Sequence, residues 1–101
     1  MASTTLVTIT YSVSTAKRTE FEGIIRDLTA RINNSQQAVR FSVYREEDDP
    51  TTYVEVYECD STEAYDALED SLEDDTSRMI RRIATDFATA RQAVMTLSKM
   101  N

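Results

Sequence analysis

The sequence has no histidine and no tryptophan, and it holds one cysteine, one glycine and one proline among its 101 residues. Without an imidazole there is no His-based catalytic triad, no His-containing zinc site and no His acid/base step. The lone Cys59 cannot close an intrachain disulfide, so nothing points to an oxidising compartment. Without a His partner it reads as a small buried residue near a strand end. One glycine and one proline exclude a collagen-like repeat, a flexible linker and a glycine-rich phosphate loop. No apolar run approaches the roughly 20 residues that span a bilayer. The opening Met1-Ala2-Ser3-Thr4-Thr5 has neither the basic nor the apolar region of a signal peptide. These absences lead us to expect a cytoplasmic protein with no membrane partner.

What is present describes a globular domain. Apolar residues make up 41% and charged residues 29%, and the length predicts one domain over residues 1–101. A chain this short buries only about two-thirds of its unfolded surface, so a second copy would stabilise it. The net charge is −7, and 14 acidic residues with no base lie between Glu46 and Asp75. Phosphate neutralisation needs clustered Lys and Arg, so no nucleic-acid partner is expected. The acidic block reads as a solvated face, or as a docking face for a basic partner or for the Arg-rich C-terminal third of another copy. Neither acidic run, 46–49 or 73–75, has the alternating spacing or the glycine of a calcium loop, and no metal site is expected.

Periodicity sets the elements. Leu6–Val13 alternates as a strand, with Thr, Val, Ile and Tyr suited to a pleated surface. Ser14 or Thr15 offers an N-cap, and Phe21, Ile24, Ile25, Leu28 and Ile32 form one helical stripe ended by Asn33-Asn34-Ser35. Val39–Arg45 and Tyr53–Glu58 alternate as a hairpin joined through Glu46-Glu47-Asp48-Asp49-Pro50. Asp60 with Glu63 resembles a capping box before a short helix carrying Tyr65, Leu68 and Leu72. Glu73-Asp74-Asp75 interrupts it, and Thr76 can cap a further helix with the stripe Met79, Ile80, Ile83, Phe87 and Ala90. Val94–Met100 alternates as the last strand. The order is that of an α+β, ferredoxin-like βαββαβ domain, a four-stranded antiparallel sheet with helices on one face. Leu6, Tyr44, Tyr53 and Tyr57 suggest that the other face needs a cover, and a second copy of the chain supplies one.

On the hairpin, Arg40, Ser42 and Tyr44 stand beside Tyr53, Glu55 and Tyr57, and residues two apart project to one side of a strand. If both sets share a face, tyrosines to hold a ring, an Arg to hold an anion and a Glu to accept a proton make a site for a phenolic or enolic molecule. The same residues also suit ordinary cross-strand pairs or a dimer interface. Periodicity leaves open which face meets the helices and which meets a second subunit.

The run Arg40-Phe41-Ser42-Val43-Tyr44, then Asp48-Asp49-Pro50, then Tyr53-Val54-Glu55-Val56-Tyr57-Glu58, then Glu63-Ala64-Tyr65-Asp66-Ala67-Leu68, resembles the antibiotic biosynthesis monooxygenase superfamily of dimeric α+β barrels. The resemblance implies a homodimer that oxidises a small aromatic or polyketide-like molecule without metal or flavin, because an electron-rich substrate anion itself reacts with oxygen. On this reading the hairpin residues supply the groups, with Glu55 as catalytic base, Arg40 holding the anion and Tyr44, Tyr53 and Tyr57 holding the ring of the substrate. Many members carry a His where this chain has Leu68, and the haem-degrading branch uses Asn, Trp and His. Haem degradation is therefore not expected here. The alternative of another class is a non-catalytic dimeric module that binds a ligand, or a partner through the acidic span 46–75.

Overall fold

In a computed structural model, which describes residues 4–35 and 39–100 and the side chains of all of these but Ser35, Glu69 and 90–93, the chain follows the expected order. Strand β1 (Thr5–Val13) leads through a 3₁₀ turn (Thr15–Lys17) into helix α1 (Arg18–Ser35). The hairpin β2 (Val39–Arg45) and β3 (Thr52–Cys59) follows. Helices α2 (Thr62–Ser71) and α3 (Asp74–Arg82), a π turn (Ile83–Phe87) and strand β4 (Ala88–Ser98) complete it. The four strands form one antiparallel sheet in the order β2-β3-β1-β4, the arrangement of a ferredoxin-like βαββαβ fold. Among the described residues no helix is long and apolar enough to cross a membrane.

Alternation along β1 divides the sheet. Thr5, Val7, Ile9, Tyr11 and Val13 are buried under the helices, whereas Leu6, Thr8, Thr10 and Ser12 lie half-exposed on the opposite side. The α1 stripe works as its spacing demands: Phe21, Leu28 and Ile32 are buried, with Ile24 and Ile25 packed against them. Phe21 meets Tyr53, Tyr11 and Phe87 with ring centroids 4.7, 6.0 and 5.9 Å away. Met79 and Ile80 of α3 pack on this core, and Ile83 and Phe87 of the π turn are buried within it.

Local boundaries differ from the sequence reading where one side chain outcompetes its neighbour. Ser14 caps the 3₁₀ turn by accepting from the Ala16 amide at 3.3 Å. Helix α1 does not stop at Asn33 but runs to Ser35. Asn33 instead reaches across to β2, donating to the Phe41 carbonyl at 2.9 Å and accepting from the Phe41 amide at 2.8 Å. That clasp covers part of an exposed sheet edge. The α2 cap is Ser61, which accepts from the Ala64 amide at 3.1 Å, rather than Asp60. Glu73 precedes α3, and Thr76 is buried inside that helix instead of capping it. Strand β4 begins at Ala88, so Ala90 belongs to a strand and not to the helical stripe. Met1, Ala2 and Ser3, where the absence of a signal peptide is read, lie outside the described residues.

Candidate functional site

The hairpin register decides what the polar and aromatic residues can do together. Phe41 pairs with Tyr57, Val43 with Glu55 and Arg45 with Tyr53, while Arg40 pairs with Glu58, Ser42 with Val56 and Tyr44 with Val54. Residues opposite each other share a face. Tyr53, Glu55 and Tyr57 therefore point under the helices, and Arg40, Ser42 and Tyr44 lie on the other side of the sheet. The single face proposed from sequence is thus two faces, and Arg40 is not beside Glu55. The cause is the connection. Asp49 accepts from the Thr51 hydroxyl at 2.7 Å and amide at 3.1 Å, and from the Thr52 hydroxyl at 2.8 Å. Glu46 and Thr52 close the turn with an amide-to-carbonyl bond of 2.9 Å. The bonds from Thr51 and then Thr52 hold the Asp49 carboxyl below its ordinary value.

The residues separate further in space. Tyr44 and Tyr53 line an open groove of about 880 Å³ between α1 and the β2 edge, with Arg26 and Arg45 also on its walls. There the Tyr53 hydroxyl donates to Glu22 at 3.0 Å, and Arg45 lies 3.6 Å from the same carboxylate oxygen. Burial, then the bond to Glu22, pushes the Tyr53 hydroxyl above its ordinary pKa. Arg40 is exposed and lines neither this groove nor the second cavity.

The second cavity, of about 320 Å³, lies between the sheet and α2–α3. Ile9 and Tyr57 floor it from the sheet, and Tyr65, Leu68, Leu72, Ile80 and Ala84 wall it with apolar surface. Asp66 and Arg81 stand among these walls. Leu68 occupies this wall because α2 turns its Tyr65–Leu68–Leu72 stripe toward the sheet. The Tyr57 ring is fixed on both flanks, by Phe41 at 4.8 Å and Tyr65 at 5.1 Å between centroids.

Behind Tyr57 lies Glu55, a carboxylate that is only 4% exposed. The Tyr11 hydroxyl donates to Glu55 Oε2 at 2.5 Å, and the Tyr57 hydroxyl donates to Oε1 at 3.5 Å. A buried carboxylate without donors would be strongly destabilising, and these hydroxyls help to hold it in the core. Tyr11 escaped the sequence reading, because its alternation marks it only as one more inward residue of β1. Its partner is 44 positions away, a separation no local pattern reports.

Three acids of the 46–75 span have partners or surroundings of their own. Glu55 is in the core, Asp49 holds the hairpin connection, and Asp75 lies 3.3 Å from Arg78 on its own helix. Among the described residues, no three Cys, Asp or Glu side chains gather where they could hold a metal ion. Cys59 is buried at the end of β3, and burial, then the charges of Asp60 and Glu58, raises its thiol pKa.

Neither a protein-family model nor a curated protein sequence matches the chain. Solved structures do. A candidate antibiotic biosynthesis monooxygenase from Nitrosomonas europaea superposes with a TM-score of 0.82 at 16% identity, covering 99% of this chain and 93% of that one. Another from Caulobacter crescentus CB15 gives 0.81 at 17%, covering 99% and 92%. A conserved protein from Methanosarcina mazei Go1 gives 0.80 at 16%, covering 97% and 94%. Over nearly its full length, this chain has the fold of the antibiotic biosynthesis monooxygenase structures.

Proposed function

We propose that the protein is a small monooxygenase of the antibiotic-biosynthesis type that acts on a phenolic or enolic molecule held between the sheet and α2–α3, without metal or flavin. The observation that carries this reading is a buried carboxylate, Glu55, hydrogen-bonded through Tyr57 to the floor of an apolar cavity. Perturbed or buried acids beside a cavity are where acid/base chemistry concentrates. The apolar part of the walls suits a ring, and the rings of Tyr57 and Tyr65 offer edges and faces for it to pack against. Arg40 and Tyr44, placed on the other side of the sheet, have no part in this site, and Tyr53 belongs to the separate groove.

The chemistry balances with dioxygen as the only co-reactant. Removing a proton from an activated CH₂ flanked by aromatic rings leaves a carbanion whose electrons reduce O₂. One oxygen atom stays on that carbon as a new carbonyl, and the other leaves with both hydrogens as water. The protein has to supply a proton acceptor, an apolar enclosure and orientation. The reading also includes a homodimer in which two open sheet faces pack together, and a cytoplasmic setting.

Oxygen uptake with a panel of quinols and anthrones tests the proposal. Uptake with at least one member is expected, and Glu55→Gln should lower it by about 10²–10⁴-fold while far-UV circular dichroism stays unchanged. A flat trace across the panel, or full turnover in the variant, refutes it.

A further inference from the structure

Glu55 is buried and does not itself line the cavity, whereas Tyr57 does. A base that removes a proton must come within hydrogen-bond reach of it, directly or through one intermediary. Tyr57 is that intermediary in position: its ring forms part of the floor, and its hydroxyl donates inward to Glu55 Oε1. A phenolic oxygen that gives up its proton in one direction becomes an acceptor in the other. Tyr11, bonded to the second carboxylate oxygen, keeps Glu55 from rotating away.

We infer that Tyr57 is a catalytic residue that relays the substrate proton to Glu55, rather than a ring-holding residue alone. The inference rests on the proposed reading of Glu55 as the proton acceptor. In the step, the bound hydroxyl or activated C–H gives its proton to Tyr57 Oη as Tyr57 gives its own to Glu55 Oε1. The products are a substrate anion, an intact Tyr57 and a neutral Glu55 carboxyl, so charge and protons balance and no oxidant is needed. The anion forms next to a hydroxyl that donates to it, which lowers the cost of creating it away from bulk water. The 3.5 Å separation is at the long limit for a hydrogen bond, as is common before a ligand closes the site. A cavity of about 320 Å³ is within the range of ligand pockets and admits a single-ring phenol as a probe.

The test uses para-nitrophenol, whose phenolate absorbs in the visible, bound to the full-length protein below the pH at which the free probe ionises. The wild type should show the phenolate band of the bound probe, an apparent downward pKa shift of about one unit. Tyr57→Phe should bind the probe and lose that band, and Glu55→Gln should lose it too. If Tyr57→Phe keeps the band while Glu55→Gln loses it, Glu55 acts directly: the relay is wrong and the base assignment survives. If the probe does not bind, or Glu55→Gln keeps the band, relay and base assignment fall together. Should Tyr57→Phe not fold, nuclear Overhauser contacts between probe and Tyr57 ring protons in the wild type decide the matter. Their presence, with the band lost in Glu55→Gln, supports the relay, and their absence overturns it.

Discussion

Glu55, Tyr53 and Cys59 all lie on β3, and all three point beneath the helices. Each is a buried ionisable group, and the protein treats them differently. Glu55 receives two hydroxyl donors. Tyr53 receives a carboxylate partner, Glu22, which favours its protonated form. Cys59 has burial and two flanking acids, which do the same. Both Tyr53 and Cys59 have folded pKa values above their ordinary 10.0 and 9.0. The contribution of each to stability is therefore complete below the ordinary value and disappears as pH rises through the raised one. The urea midpoint should be level up to the ordinary thiol pKa and fall above it. Cys59→Ala should remove the first part of that fall, and Tyr53→Phe the later part. A profile unchanged in both variants would show that neither group is perturbed.

Elements begin and end where a side chain meets the backbone, and composition alone does not choose that side chain. Asp60 and Ser61 are both strong N-cap residues, yet it is Ser61, with an extended backbone, that accepts from the Ala64 amide. Ser61→Ala should destabilise the protein by about 1 kcal/mol, whereas Asp60→Ala should change it little. Denaturant titration of the two variants checks this, and equal losses would contradict the assigned cap. The hairpin shows the same logic with a larger consequence. Asp49 organises the connection, the connection sets the register, and a register shifted by one residue would bring Arg40 and Tyr44 to the face of Glu55.

At the scale of the molecule, the sheet has one face covered by helices and one without cover in a single chain. On the uncovered side Val54 and Val56 are half-exposed, Met95 is 49% exposed and Leu97 41%. These apolar residues on an uncovered sheet face are where the proposed homodimer would form. Two copies joined through it would have twice the subunit mass of 11.5 kDa by native mass spectrometry. Val56→Lys, which puts a charge in the middle of that face, should yield monomers with unchanged far-UV circular dichroism. A wild type that is monomeric at micromolar concentration would rule out the homodimer.

Much of this architecture is written in the chain's own periodicities. The alternation of Leu6–Val13, the stripe from Phe21 to Ile32 and the paired runs of the hairpin specify element type and inward face, because burial imposes a period of two on strands and 3.6 on helices. The residues Tyr53, Glu55 and Tyr57 are legible as one set for the same reason. Their partners are not. Which side of the sheet Arg40 and Tyr44 occupy depends on the parity of a register, and that is set by the bonds of Asp49 within a six-residue connection. The bond from Tyr11 to Glu55 joins two strands 44 positions apart in the chain. Local sequence determined the elements and their buried faces; only the tertiary structure, through register and long-range packing, decided that Glu55 sits behind Tyr57 at the floor of a cavity.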